Sequence, residues 1–205
     1  MIKNNNRANW FGASDTATIM GNWDTRTFLN WWFVKLGYDN NNHKSWKMDC
    51  GNLLEIPIIR EIEKQECYKI KIGKHPYYNL FLRLRCNYDG LTKDFVIEIK
   101  TTGKMFVRVP KNYWQQCQVL MFRKRRSKAI LYAYEMTDDD YKNPYFPNID
   151  YNRIKSFVID YDKDFIENEY KPRLRYLASC LRKRKIPSMI EYEQIRSRQS
   201  LQNAG

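Results

Sequence analysis

The sequence predicts a single domain of the α/β or α+β class, in which helices cover both faces of a central mixed β-sheet. The predicted order is helices, antiparallel strands, a helix, a strand and a helix, which favours a sheet packed between helices. The 205 residues are enough to enclose one core, and 43% of them are hydrophobic. Because no repeat or shift in composition divides the chain, we expect residues 1–205 to form one domain.

Three helices are predicted before the first strand, over residues 14–20, 25–36 and 48–66. Ser14 or Asp15 can cap the first helix, and a glycine follows each of the first two, as is common where helices end. Pro57 lies inside the third segment, so it either kinks that helix or belongs to its first turn. Residues 1–9 are expected to form a polar arm.

The predicted strands are rich in aromatic and β-branched residues and cover residues 67–72, 81–88, 95–100, 129–135 and 157–159. A helix over 113–122 and a basic loop over 123–128 separate the third strand from the fourth. The acidic run 138–140 is interpreted as a solvated turn. A last helix is expected over 164–181, followed by a polar and partly disordered tail over 188–205.

The charge balance favours a polyanionic partner. Lysine and arginine number 36 against 23 aspartates and glutamates, which gives a formal net charge of +13. Phosphate contacts dominate the affinity of proteins for nucleic acids, so such an excess suits DNA or RNA. A basic soluble protein without such a partner is the alternative. The phosphate-binding loop of nucleotide-hydrolysing enzymes does not occur in the sequence.

Other common site chemistries find little support. The five cysteines are scattered without a Cys-x-x-Cys pair, which argues against structural zinc, iron–sulfur clusters and a disulfide framework. The two histidines, His43 and His75, lie in polar segments and leave little for a histidine-based mechanism. No apolar run approaches the roughly 18 residues of a membrane span, and the polar N-terminus lacks the apolar core of a signal peptide. We therefore expect a soluble, intracellular protein.

Two acids and a lysine flank the strand over 95–100. Because a strand alternates its faces, Glu98 and Lys100 are neighbours on one face. Asp89 and the glycine after it form a turn signal, so a hairpin between 81–88 and 95–100 would bring Asp89 towards them. Carboxylates beside an amine can hold a hard divalent cation and activate water for phosphodiester hydrolysis. A hairpin with a surface salt bridge has the same residues, so this motif alone leaves its role open.

Two further oxygen ligands are candidates for a cation at this site. The Ile99 carbonyl is suitable because backbone oxygens are ordinary ligands of magnesium and calcium. Glu55 on the preceding helix could complete the shell of a second ion, although a solvated helix glutamate is the alternative. Lys100 would orient or deprotonate water, or stabilise the transition state, and burial beside a cation is expected to lower its pKa.

Five ordered segments carry a family resemblance: Phe-Gly-Ala-Ser14-Asp, Gly-Asn-Leu-Leu-Glu55, Asn-Tyr-Asp89-Gly, Glu98-Ile-Lys100-Thr and Tyr-Trp-Gln-Gln116-Cys-Gln. Together they resemble the YqaJ-like viral recombinase family, to which lambda exonuclease is related, within the PD-(D/E)xK nuclease superfamily. The resemblance covers residues 7–135 and implies a restriction-endonuclease-like core. Tyr88 stands where the superfamily motif begins with proline.

The resemblance also implies roles for individual residues. The implied catalytic and metal-binding residues are Glu55, Asp89, Glu98, Lys100 and Gln116. Of these, the three acids would hold Mg²⁺, with Mn²⁺ as a substitute, and Lys100 would be the catalytic lysine. Arg7 and Ser14 match positions that hold the 5′-phosphate of DNA, although a simple helix N-cap is the alternative for Ser14.

The function implied by the resemblance is a magnesium-dependent exonuclease that digests one strand of linear double-stranded DNA from 5′ to 3′. Such enzymes serve phage-type recombination with a single-strand annealing protein, and the lambda-like ones form ring-shaped homotrimers. A phage or prophage origin would place the protein in the cytoplasm of a bacterial host. The alternatives are an endonuclease or junction resolvase with the same core, and a catalytically silent DNA-binding protein.

Overall fold

A five-stranded mixed β-sheet forms the centre of the computed structural model, which describes residues 7–38 and 45–202. Across the sheet the strands are β1 (Lys71–Ile72), β4 (Gly90–Leu91), β5 (Phe95–Thr102), β6 (Lys128–Glu135) and β7 (Ile154–Asp160). Strands β5 and β6 run parallel along their whole length, and the other neighbours are antiparallel. A separate antiparallel pair consists of β2 (Tyr77–Asn79) and β3 (Leu84–Cys86).

The helices are α1 (Thr16–Met20), α2 (Arg26–Leu36), α3 (Trp46–Glu66), α4 (Lys111–Lys124), α5 (Asp138–Lys142), α6 (Lys171–Arg182) and α7 (Met189–Gln202). The Thr25 hydroxyl accepts the Phe28 N–H at the start of α2, and Gly37 ends that helix in the left-handed region with φ 80°. Pro57 lies well inside α3, not in its first turn. Pro172 falls in the first turn of α6, after a π-helical segment over Phe165–Tyr170.

Alternate residues of β5 contact different cores, so helices cover both faces of the sheet. Val96 packs with Cys117 of α4 and Leu174 of α6. Ile97 and Ile99 pack instead with residues of α3 such as Leu54 and Ile58. This arrangement confirms the predicted class, a mixed sheet between layers of helices. No helix in the described part of the chain is both long and apolar enough to span a bilayer.

The prediction that the strand over 81–88 forms a hairpin with β5 is wrong. Strand β5 pairs with the two-residue β4 across a tight turn at residues 92–94, whereas β3 pairs with β2, a strand that the sequence did not indicate. Gly90 lies in β4, and a Cβ there would lie 2.4 Å from the Ile70 side chain. This glycine therefore allows close packing and does not form the predicted turn.

Two predictions for the last third of the chain also need correction. The acidic run 138–140 belongs to α5, and Asp140 is buried, where it accepts a hydrogen bond from the Arg153 guanidinium at 2.6 Å. The predicted tail contains α7, which docks because Tyr192 is buried against Trp23 and Tyr176. Apolar contacts made by a few residues thus order a segment whose composition is mainly polar.

The predicted basic loop over 123–128 is partly helical. Helix α4 continues to Lys124 and ends with Arg125 in the left-handed region, at φ 52°.

The cysteines are all free thiols, and four of the five are buried, as expected for small apolar core residues.

Candidate active site

The short length of β4 creates the site. Its last pair with β5 joins Gly90 and Ile97, so β5 continues beyond this point with a strand neighbour only on its β6 side. Asp89 immediately precedes β4, and its Oδ2 accepts a hydrogen bond from the Ile99 N–H at 2.7 Å. The carboxylate therefore occupies the place of a pairing strand, beside Glu98.

The Ile99 carbonyl lies at the same edge. Backbone groups of successive strand residues point alternately to the two neighbouring strands. The Phe95 carbonyl points to the β4 side, where it accepts the Thr92 N–H, and the Ile99 N–H points to that side as well. The Ile99 carbonyl therefore also faces the β4 side. Strand β4 ends before this position, so in the described part of the chain the carbonyl oxygen has no strand partner there and is placed as a backbone ligand for a cation would be.

Lys100 and Gln116 hold Glu98 in place. Glu98 is only 3% exposed, and its Oε1 accepts hydrogen bonds from the Lys100 ammonium at 2.6 Å and the Gln116 amide at 2.5 Å. Gln116 projects from α4, which packs over this face of β5. The two donors compensate the buried charge of Glu98, since a buried carboxylate without partners is strongly unfavourable.

Helix α3 brings the third acid, Glu55, to the cavity. A Cβ on Gly51 would lie 2.7 Å from the Thr101 hydroxyl oxygen, so the glycine allows α3 to approach β5 closely. Glu55 follows Gly51 by four residues and therefore lies on the same side of the helix. The sequence Gly-Asn-Leu-Leu-Glu55 thus combines a point of close contact with the acid that this contact positions.

The three carboxylates perturb one another. Burial and the Glu98 charge raise the pKa of Glu55 to about 7, although Lys100 opposes this shift. Burial, Glu98 and Glu55 together raise the pKa of Asp89 well above its ordinary value. Burial lowers the pKa of Lys100, but Glu98 and Asp89 raise it more strongly. The lowered pKa expected for Lys100 beside a cation stays a prediction, because the present shift arises from the neighbouring acids alone.

A divalent cation fits the chemistry of this cluster, because it would relieve the repulsion that raises the carboxylate pKa values. Glu55, Asp89, Glu98 and the Ile99 carbonyl are all oxygen donors, the type that magnesium prefers. In the described part of the chain, no three acidic, histidine or cysteine side chains are already gathered closely enough to hold an ion. Lys100 and Gln116 both donate to Oε1 of Glu98, so these two contacts do not occupy its second carboxylate oxygen.

The shifted pKa of Glu55 predicts how stability depends on pH in a chelating buffer. The folded protein holds this proton up to about pH 7, whereas an unfolded glutamate has a pKa of 4.5. The contribution of Glu55 to stability is therefore complete below pH 4.5 and is lost as the pH rises through 7. Urea unfolding of the wild type and of Glu55→Gln, at pH 5 and at pH 8, measures this contribution to the free energy of unfolding. We expect the wild type to lose stability relative to the variant at pH 8, and an unchanged difference would contradict the shift.

Arg7 and Ser14 line the same cavity as the three acids, and both side chains are exposed. Ser14 does not cap a helix, because it lies inside the short 3₁₀ turn Ala13–Asp15, whose N-cap is Gly12. The Asp15 carboxylate accepts the Gly12 N–H at 2.6 Å. The structure therefore places the two predicted phosphate-binding residues together at the cavity and leaves the Ser14 hydroxyl free of the simple capping role.

A buried ion pair supports this turn and was not anticipated from the sequence. The Asp15 carboxylate accepts hydrogen bonds from the Lys35 ammonium at 2.5 Å and from the Trp31 indole at 3.0 Å. Burial raises the pKa of Asp15, but Lys35 and these hydrogen bonds lower it further, so Asp15 stays ionised. The sequence offered one sign of this ion pair, the position of Lys35. It lies next to Leu36 and one turn after Trp32, on the face of α2 that is buried.

Arg85 also lines the cavity, although no sequence motif includes it, and Asn87 of the Asn-Tyr-Asp89-Gly motif lies there without a predicted role. Burial lowers the pKa of Lys35, Asp15 raises it, and the charges of Arg85 and Arg7 lower it. Arg85 therefore adds to the positive potential beside Ser14. A cationic side chain in a short strand is usually a solvent-exposed residue, so the sequence contained no specific sign of this position.

Similarity to known proteins is found at the level of structure and not of sequence. No protein-family model and no curated protein sequence matches the chain. An alkaline exonuclease from Laribacter hongkongensis, LHK-Exo, has a similar structure, with a TM-score of 0.62, 18% identity and 95% of each chain covered. Its complex with dAMP gives a TM-score of 0.60 at the same identity and coverage. A phage-related exonuclease from Haemophilus somnus gives 0.56 at 13% identity, with 93% of this chain and 96% of that chain covered. The chain therefore has the same fold as these exonucleases.

Proposed function

We propose that this protein is a metal-dependent deoxyribonuclease of the YqaJ-like, lambda-exonuclease type, which digests one strand of linear double-stranded DNA from the 5′ end. One observation carries the proposal. A single cavity of about 240 Å³ is lined by all the side chains that the sequence motifs single out, namely Arg7, Ser14, Glu55, Asp89, Glu98, Lys100 and Gln116. Five separate segments of the chain supply them, which is typical of an assembled active site.

Two groups of cavity residues would have different tasks in the reaction. Arg7 and Ser14 can donate hydrogen bonds to a terminal phosphate, which would select a 5′-phosphorylated strand end. The three acids would hold the cation at the phosphodiester that is cleaved. A bound magnesium ion would lower the pKa of a ligated water and neutralise charge on the phosphoryl oxygens.

The contacts of Lys100 favour an electrostatic role for this residue. Because Glu98 and Asp89 raise its pKa, Lys100 is an ammonium ion at neutral pH. In that form it can orient a water molecule or stabilise charge that develops on the phosphate. Gln116 acts indirectly, since its amide fixes the Glu98 carboxylate.

The biological setting follows from the resemblance and from the neighbours. The similar structures are described as an alkaline exonuclease and a phage-related exonuclease. A nuclease of this type would supply single-stranded DNA to an annealing protein during recombination, in the cytoplasm of a bacterial host. A ring-shaped homotrimer, as in the lambda-like enzymes, would hold the duplex during digestion.

A linear duplex labelled separately at each end, with a 5′-phosphate or a 5′-hydroxyl, tests the proposal. We expect degradation with Mg²⁺ or Mn²⁺, none in a chelator, and faster attack on the phosphorylated end. Digestion of circular DNA would instead indicate an endonuclease or junction resolvase. The absence of cleavage of every substrate, with DNA binding intact, would indicate a silent DNA-binding protein.

A further inference from the structure

The outer face of the β2–β3 pair continues the surface of the active-site cavity. Tyr78 and Arg85 are directly opposite each other in the register, so their side chains share one face of the pair. Their neighbours in the register, Leu84 and Cys86, are buried in the core on the other face. Arg85 lines the cavity, whereas Tyr78 is 47% exposed, so this face leads from the cavity to solvent.

Trp10 and Arg83 extend the same surface. The Trp10 ring lines the cavity and packs edge-to-face against Tyr78, with 4.9 Å between the ring centroids. The Arg83 guanidinium lies 5.8 Å from the centre of the Trp10 ring. Two aromatic rings in contact, each with an arginine beside it, therefore form one track, which we call the aromatic–arginine track (Trp10, Tyr78, Arg83 and Arg85).

The track is built on a rigid support. The Phe11 N–H donates to the Arg83 carbonyl, and the Phe11 carbonyl accepts the Arg85 N–H, both at 2.7 Å. From α4, the Arg123 guanidinium donates to the Tyr78 carbonyl at 3.2 Å. The Lys124 ammonium lies over the ring of Tyr77, 3.0 Å from its centroid. These contacts fix the strand pair against α4, so the exposed rings would lose little freedom on binding a ligand.

We propose that the aromatic–arginine track binds single-stranded DNA next to the active site. Bases stack on aromatic rings whatever their sequence, but only when they are not paired in a duplex. The arginines that flank the two rings suit the phosphates of the same strand. This inference rests on the proposed nuclease function, because digestion of one strand of a duplex leaves an unpaired strand at this point. The continuity of the track with the cavity, through Trp10 and Arg85, gives that strand a direct route.

Binding measured without cleavage tests the track independently of catalysis. The probes are a fluorescent 12-nucleotide oligothymidine and a 12-base-pair blunt duplex, titrated by anisotropy in a chelating buffer. Tyr78→Ala should weaken single-strand binding roughly 10-fold, and Tyr78→Phe should bind like the wild type. Arg83→Gln should reduce the slope of log affinity against log salt by about 0.7, the loss of one phosphate contact. Tyr145→Ala, which removes an exposed tyrosine after α5, is the matched control and should bind like the wild type.

The outcomes separate this inference from the proposed function. Selective loss of single-strand binding in Tyr78→Ala supports the track, even if the protein cleaves no DNA. Wild-type binding by both Tyr78→Ala and Arg83→Gln overturns the track, even if the nuclease is active. Equal loss for the duplex and the single strand also overturns it, because the surface would then be a duplex contact. Circular dichroism of each variant verifies folding, and Tyr78→Phe provides a conservative comparison.

Discussion

Replacement of Asp89 or Lys100 by alanine is expected to abolish DNA cleavage while DNA binding persists. In the proposed mechanism, Asp89→Ala removes one ligand of the cation. Lys100→Ala removes the ammonium group that would stabilise charge on the phosphate. Loss of one such electrostatic contact typically slows a reaction by roughly 10²–10³-fold. Cleavage of a labelled linear duplex in Mg²⁺ measures the effect, and anisotropy in a chelating buffer measures binding.

The turn between β4 and β5 provides matched controls for this experiment. Asp94 and Lys93 are exposed residues of the same chemical types, a few positions from the site. Asp94→Ala and Lys93→Ala are expected to cleave DNA at nearly the wild-type rate. Full activity of Lys100→Ala would exclude the proposed mechanism, and so would cleavage by the wild type in a chelator.

The second large effect is expected at the buried ion pair beneath the turn that carries Ser14. Lys35→Met leaves the Asp15 carboxylate buried without its cationic partner, in a position where both side chains are almost fully inaccessible. Breaking one side of such a pair typically costs about 3–5 kcal/mol of unfolding free energy. Urea denaturation at pH 7 measures the change, because the depressed pKa of Asp15 keeps it charged there.

A surface pair of similar composition is the control for Lys35→Met. Lys142 and Asp139 lie 3.8 Å apart with both side chains largely exposed, so Lys142→Met is expected to leave stability nearly unchanged. A loss of stability in Lys35→Met no larger than in Lys142→Met would show that the buried pair does not stabilise this turn. Protonation of Asp15 at low pH should reduce the difference between the wild type and Lys35→Met, since the uncompensated charge then disappears.

Local patterns predicted those features that depend on a few neighbouring residues. The period of two over 95–100 assigned Glu98 and Lys100 to one face of β5 and Ile97 and Ile99 to the other, as the structure shows. The helix predicted over 25–36, with Gly37 as its stop, matches α2 almost to the residue. Each of these signals depends on backbone geometry within one strand or one turn of helix, so it is readable without the rest of the fold.

Pairing and burial depended on residues that are distant in the sequence. The sequence indicated Asp89, Glu98 and Lys100 as candidate site residues. It could not show that the short strand β4, and not β3, pairs with β5. The close approach of Gly51 to Thr101, which positions Glu55, likewise joins segments fifty residues apart. A short strand has too few residues to specify its partner, so packing of the whole chain selects it.

By itself, the sequence determined the chemical types at the site, the faces of β5 and the alternation of helices and strands. Only the tertiary structure decided that Lys35 pairs with Asp15, that Arg85 joins Ser14 at the cavity, and that the neighbouring acids raise the Lys100 pKa. The physical reason is that electrostatic effects depend on distance and burial in three dimensions. Residues far apart in the chain set both quantities, whereas the local sequence sets only which groups are available to interact.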